Sequence, residues 1–452
     1  MPKIKKKHIQ GYAAITAILL VLGSSLTIIG GLSFLSLQEV GASRAYVKSI
    51  QARYVSEASL EDYLYRIMSG KQTSPTDILA AGEATTTVTF ISPLQGQSII
   101  RSDASAGKYR YNMEARLDLP VVNSSFPFGS IIGTGGLHLS QNATVQGSIF
   151  SNGDIIGANG ASITGDAFAA GLSLIDKVIV NGNAQAGSIK NSTIGAYASS
   201  TVLLDSSVVA RDAHAGQITN SNIGRDAYYV SIDAQSNVSG IKYPGNPGPP
   251  GLTTQPMPIP DSNIAQLKTD AADLGTLVSG DCSQNWSPPT NPYTVNGGVI
   301  KQNMILGNSQ VLIMKGTVWV KCNVTVSNGA NIKLDPSYEA YSGLLVADGW
   351  INLQNNGVFQ GSGAPGSFVM MISSATGGGP NGAAINISNN TTGVIFYAQN
   401  GRIFLGNNVQ ATELTGKEVY LDNGATVIYD AALADVNFSS GHYRLKYWKQ
   451  IP

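Results

Sequence analysis

Hydrophobic positions change their period along the chain, and each change predicts a different element. From Tyr12 to Leu37 apolar residues dominate 26 positions without a single charge. At ~1.5 Å per residue that run covers a ~30 Å hydrocarbon core with room for tilt, so residues 12–37 are expected to form a transmembrane helix. Beyond it Val40, Val47, Ile50, Tyr54, Ala58, Leu64 and Ile67 recur at helical spacing among Arg44, Lys48, Arg53, Glu57 and Asp62. This predicts an amphipathic continuation over 38–70, stopping at Ser69-Gly70. Residues 83–120 then alternate with period two, as in Thr85 to Ile91, Ser98 to Ser102 and Lys108 to Ala115, and predict a small β-sheet.

A longer period follows. Val324-Thr-Val326-Ser-Asn328-Gly329 recurs as Ile351-Asn-Leu353-Gln-Asn355-Asn356, Ile385-Asn-Ile387-Ser-Asn389-Asn390, Ile403-Phe-Leu405-Gly-Asn407-Asn408 and Val419-Tyr-Leu421-Asp-Asn423-Gly424. The leading asparagines stand 27, 34, 18 and 16 residues apart. A short alternating strand followed by residues that accept positive φ is one rung and one corner of a β-solenoid. A single coil cannot bury its apolar side, so stability must come from stacking. A second array precedes it, in Gly165-Asp-Ala167, Gly182-Asn-Ala184, Arg211-Asp-Ala213 and Arg225-Asp-Ala227, with alanines 17, 29 and 14 apart. An irregular antiparallel sandwich is the competing architecture.

The fold class expected is therefore mainly β: two right- or left-handed β-solenoid (β-helix) blocks behind a long N-terminal transmembrane and amphipathic helix and a small sheet. The first solenoid is placed at 130–240 and the second at 282–452, closing in Tyr443 to Trp448. Between them residues 243–260 are rich in proline and glycine and predict a stiff connector. Asp261 or Ser262 then caps a short helix over 261–275.

Composition narrows the function. Charged residues are 12% of the chain, Lys+Arg and Asp+Glu balance at 28 each, and the formal net charge is zero. That excludes the electrostatic footprint of a nucleic-acid binder. Four histidines and two cysteines leave little for a Cys/His metal site, and neither metal nor cofactor is expected. Cys282 and Cys322 are expected to pair, in keeping with an oxidising exterior, two free buried thiols being the alternative.

The leader, residues 1–11, contains Lys3, Lys5, Lys6 and Lys7 and ends in Gly11. Few basic residues follow the apolar run, which predicts a cytoplasmic N-terminus, a single membrane pass and an exported body. A cleaved signal peptide would have a shorter apolar region. The leader, Tyr12-Ala13-Ala14-Ile15, the apolar helix and Val55-Ser56-Glu57-Ala58-Ser59-Leu60-Glu61 together resemble the N-terminal segment of PilX-type proteins of type IV pilus assembly. The resemblance implies processing between Gly11 and Tyr12 and other pilin-like subunits as partners. Thr16 stands where major pilins carry glutamate. An ordinary single-pass anchor is the competing reading.

Few motifs on the solenoid could carry catalysis. Gly361-Ser-Gly363-Ala-Pro-Gly366 spells a dinucleotide fingerprint, but Pro365 and the β pattern around it favour a turn. Asp335 and Glu339 are the nearest pair of carboxylates for glycoside chemistry, with Pro336 between them pointing to a surface insertion. His138, His214 and His442 lack partners in sequence, Tyr338 and Tyr341 offer rings for sugars or for packing, and Arg444, Lys446 and Lys449 read as a solvated strand. The function expected is a non-enzymatic bacterial cell-surface protein of pilus or pseudopilus assembly or adhesion. The alternatives are a protein that binds or degrades polysaccharide, with surface polysaccharide as partner, and a bactofilin-like polymer former.

Overall fold

A computed structural model describes residues 9–68, 74–91, 97–118, 121–124, 126–388, 395–439, 441 and 444–452. Residues 1–8, the Ser69-Gly70 stop, Asn389-Asn390, His442 and Tyr443 lie outside this description. The chain divides into two compact units, Met1–Asp118 with Tyr443–Pro452, and Leu119–His442.

In the first unit one helix, α1 (Ile9–Met68), joins the apolar and amphipathic segments without a break. Four strands follow, β1 (Thr76–Ala81), β2 (Ala84–Ile91), β3 (Gln97–Ala106) and β4 (Tyr109–Asp118), each antiparallel to the next. The fifth, β5 (Arg444–Ile451), comes from the far end of the chain and pairs antiparallel with β4, Glu114 opposite Lys449. This corrects the expected boundary of the second solenoid at 452: the terminal strand belongs to the sheet. Lys446 there meets Asp118 at 3.0 Å, and Lys449 lies over the Tyr447 ring.

α1 buries Ala52, Val55, Ser56, Ser59, Leu60, Tyr63 and Leu64, spaced three and four apart, whereas Val40, Val47 and Tyr54 of the expected stripe are exposed. The stripe is rotated because two serines sit on the buried side. Ser56 and Ser59 share a closed hydroxyl cluster with Thr86 and Ser102 at 2.9–3.4 Å, which removes the cost of burying them.

The second unit is a β-solenoid of about 16 turns. The five Asn-cornered motifs occupy one rung position: Val324, Ile351, Ile385, Ile403 and Val419 are successive parallel partners. Val419 then pairs with Leu137, and the ladder continues through Ile155, Ile175, Ile189, Leu204, Ile218 and Ile232. The two arrays thus form one stack, in which the end of the second abuts the beginning of the first. Corners behave as their residues require, with Asn328, Asn355, Asn356 and Asn408 at φ of 50–63°. In the first array Ala167, Ala184, Ala198, Ala213 and Ala227 are in register, so the interval of 29 holds an additional coil around Ala198.

Since the first array ends far from where the second begins, residues 243–260 must return along the stack. The Pro247 carbonyl meets His214 Nε2, Gly171 N donates to Leu252 O, Asn152 and Gln255 exchange two hydrogen bonds, and Ile259 bonds Tyr397. From His214 to Tyr397 is seven steps between stacked strands, or ~34 Å at ~4.8 Å per step. Twelve residues at the ~3.1 Å of a proline-rich extended chain span ~37 Å, a match that accounts for the composition. The connector is a strap.

The strap delivers α2 (Asp261–Asp273), which begins after Pro260 with no side-chain cap and ends before Gly275 at φ 95°. Asp261 is its first residue, not its cap. Ile264 and Leu267 of α2, with Ile259 and Phe438, cover the outward residues Leu344, Val346, Met370, Ile372, Ile395 and Tyr397. One outer face of the solenoid is thereby made into a second core.

Candidate functional site

The candidate processing pair Gly11 and Tyr12 lies in the first turns of α1. From Tyr12 to Leu37 every side chain is exposed, among them Ile18, Leu19, Leu22, Leu26, Ile29, Leu32 and Phe34. Exposed apolar surface on this scale requires a cover other than water. The polar groups in the run are satisfied within the helix: Thr16 Oγ1 donates to Tyr12 O at 2.6 Å, Ser24 Oγ to Val21 O, and Thr27 Oγ1 to Gly23 O. A hydroxyl bonded to its own backbone carries little cost into hydrocarbon. α1 is long and apolar enough to cross a membrane.

The disulfide Cys282–Cys322 closes a loop of sequence separation 40 with Cα atoms 5.4 Å apart. It ties the segment between the first strands of the second array, residues 276–278 and 285–286, to the corner preceding Val324–Val326.

The candidate carboxylates are not brought together for catalysis. Asp335 accepts a hydrogen bond from Ser337 N and caps a 3₁₀ turn, while Glu339 takes φ of 49° and its carbonyl accepts the Ser362 hydroxyl. Tyr338 is buried, so its ring is not offered to a sugar, and Tyr341 is half-buried against the main core. Burial holds the Tyr338 phenol far above its ordinary range. Gly361 to Gly366 forms a loop between strands Val358–Gln360 and Val369–Ser373, with Gly363 and Gly366 at positive φ and no helix following.

The histidines have partners that sequence did not suggest. His138 Nε2 lies 3.6 Å from Glu418, which also takes Arg402 at 2.9 Å, and the His138 ring stacks on Tyr420, itself stacked on Phe404. His214 is engaged by the strap. Among the described residues no group of three or more His, Cys, Asp or Glu could hold a metal ion.

One acid was not anticipated. Glu413 is fully buried beneath the second core, opposite Ile395 in the ladder. Desolvation pushes its carboxyl well above the ordinary range, against the opposing effect of the Thr415 hydroxyl that donates to it. Its other oxygen, Oε2, has no hydrogen-bond partner. With no solvent exposure, this carboxyl belongs to the core of the solenoid wall.

No family model and no curated protein matches the chain. Among solved structures it is similar to the competence-associated pilin ComZ from Thermus thermophilus, at 11% identity and a TM-score of 0.28 over 89% of this chain and 97% of that one. It is also similar to an ice binding protein from an Antarctic bacterium, Flavobacteriaceae, at 12% identity and a TM-score of 0.18 over 66% and 80%. At such TM-scores neither likeness establishes a function for this chain.

Proposed function

We propose that the protein is a non-enzymatic bacterial cell-surface protein, anchored by a pilin-like helix and associated with type IV pilus or pseudopilus assembly or adhesion. The observation that carries this reading is the division of labour along α1. Its first half is uncharged, predominantly apolar and uncovered from Tyr12 to Leu37, and its second half is the spine of an antiparallel sheet whose strands β4 and β5 bracket the solenoid in sequence. Such an arrangement suits a scaffold held at the membrane with a rigid body to display. The solenoid offers stacked coils and corners, and the acids considered above serve caps, ion pairs and the core.

On this reading the N-terminus is cytoplasmic, the body is exported, and other pilin-like subunits contact the apolar half of α1. Intact mass and N-terminal sequencing of the native protein test it. A mature chain beginning at Tyr12 is the expected result. A chain retaining Met1 reduces the protein to an ordinary single-pass anchor.

A further inference from the structure

The solenoid has three outer faces, and they differ in what they present. One is apolar and is covered by the strap, α2 and residues 431–439. A second carries charge, with Asp176, Lys190 and Asp205 in successive register. The third is a sheet of nine short parallel strands running from Gln410–Ala411 to Asn237–Val238 across the junction between the arrays.

Each strand of this third face points at least one residue outward, and Thr144–Gln146 and Thr426–Ile428 point two. The row passes from Gln410 through Thr144, Thr193 and Asn222 to Asn237 in unbroken register, and none of its members is charged. Flanking outward positions such as Thr164, Asn181 and Ser239 are uncharged as well. Eight steps of ~4.8 Å make the row ~38 Å long. A solvated surface ordinarily mixes charges through such an area.

The polar groups on this face divide into two stretches: Thr144 and Ser162 bond each other at 3.1 Å, Thr426 Oγ1 donates to Gly424 O and Thr164 Oγ1 accepts from Gly147 N, whereas beyond Ile179 they are unspent. The side chains of Asn181, Thr193, Asn222 and Asn237 make no hydrogen bond within the described chain. Corner asparagines of the same coils behave otherwise: Asn191 Nδ2 donates to Asp176 and Asn220 Nδ2 to Ser206 Oγ. Between the free amides and hydroxyls stand exposed methyl groups of Ile179 and Val208. At one end the row opens on a cleft of about 440 Å³ lined by Gln410, Ile428, Tyr429 and Asp430.

We propose that this face docks an extended, uncharged polysaccharide laid along the solenoid axis. A neutral polymer of hydroxyls matches a row without charge that, from Ile179 to Asn237, intersperses free donors and acceptors with small apolar contacts. A charged polymer would find no counter-ion along the row. The length of the row suits many weak contacts made at once, which gain by avidity.

The test uses the full chain in detergent micelles, with regenerated cellulose and chitin as probes, and a heparin resin beside them. Retention on at least one neutral polymer is expected, falling at least tenfold in the double variant T193K/N222K. Gln217→Lys, an exposed position on the charged face, should bind as the wild type does. Thermal melts of the variants confirm that these solvent-facing changes leave the solenoid folded. The proposal is overturned if wild type is retained on neither neutral polymer, if T193K/N222K binds equally well, or if retention appears only on heparin.

Discussion

Val419 and Leu137 are nearest neighbours in one ladder although the chain between them makes the whole first array, the strap and most of the second. Their pairing turns two sequence arrays into one stack. A stack of this kind couples its parts through neighbouring rungs, so the junction should matter to both arrays. Leu137 is fully buried, and Leu137→Ala is expected to lower stability by ~2–5 kcal/mol, the usual cost of a truncated core leucine. Calorimetry should show the solenoid melting in one transition that shifts as a whole. Two separate transitions, only one of them shifted, would mean that the arrays are independent.

The Cys282–Cys322 bond restrains the first coils of the second array. By the chain-entropy argument a closed loop of separation 40 contributes ~4 kcal/mol. Reduction, or the double change to serine, is expected to lower the melting temperature and to expose the segment from Cys282 to Cys322 to protease before the rest. An unchanged melt under reducing conditions would refute that contribution.

Glu413 makes stability depend on pH. Its folded carboxyl titrates well above the ~4.3 of a free glutamate, so the fold binds a proton that the unfolded chain releases. The stabilisation is complete below the unfolded value and is lost as pH rises from there through the folded one. Glu413→Gln removes the proton from the balance. The variant should melt a few degrees higher than wild type near neutral pH, with the difference shrinking to nothing toward pH ~4. A constant difference across that range would point to packing instead of titration.

The rungs were legible because Asn-Asn and Asn-Gly corners return after each alternating strand, and all the motifs around Val324, Ile351, Ile385, Ile403 and Val419 fall in register. The coil at Ala198 was hidden because Gly195-Ala196-Tyr197 lacks the Asp or Asn of its neighbours. What could not be read were relations between distant segments. Nothing local to Arg444–Ile451 distinguishes a strand that closes a solenoid from one that joins β4. The burial of Glu413 likewise depends on α2 and the strap arriving from elsewhere in the chain.

The strap is held at its far end by one phenol. Tyr397 OH donates to Ile259 O at 2.6 Å and accepts from Ile259 N at 3.2 Å, in a site with no exposure. Tyr397→Phe keeps the ring and strands both backbone groups, at an expected ~1–3 kcal/mol. Cleavage by a protease with broad specificity should then move to residues 247–259. A strap equally resistant in the variant would show that proline stiffness alone holds it.

The last expectation concerns the apolar half of α1, where satisfied hydroxyls and uncovered side chains leave lipid as the natural solvent. Leu22 is exposed near the middle of that half. A lysine there opposes insertion by ~2.5–3.5 kcal/mol. Leu22→Lys is expected to move part of the protein from the carbonate-resistant membrane fraction to the soluble one. Tyr54→Lys, exposed on the second half of the same helix, should change nothing, because that half packs on the sheet and meets water elsewhere. If both variants fractionate alike, the helix is not what holds the protein at the membrane, and the anchoring half of the proposed function falls with it.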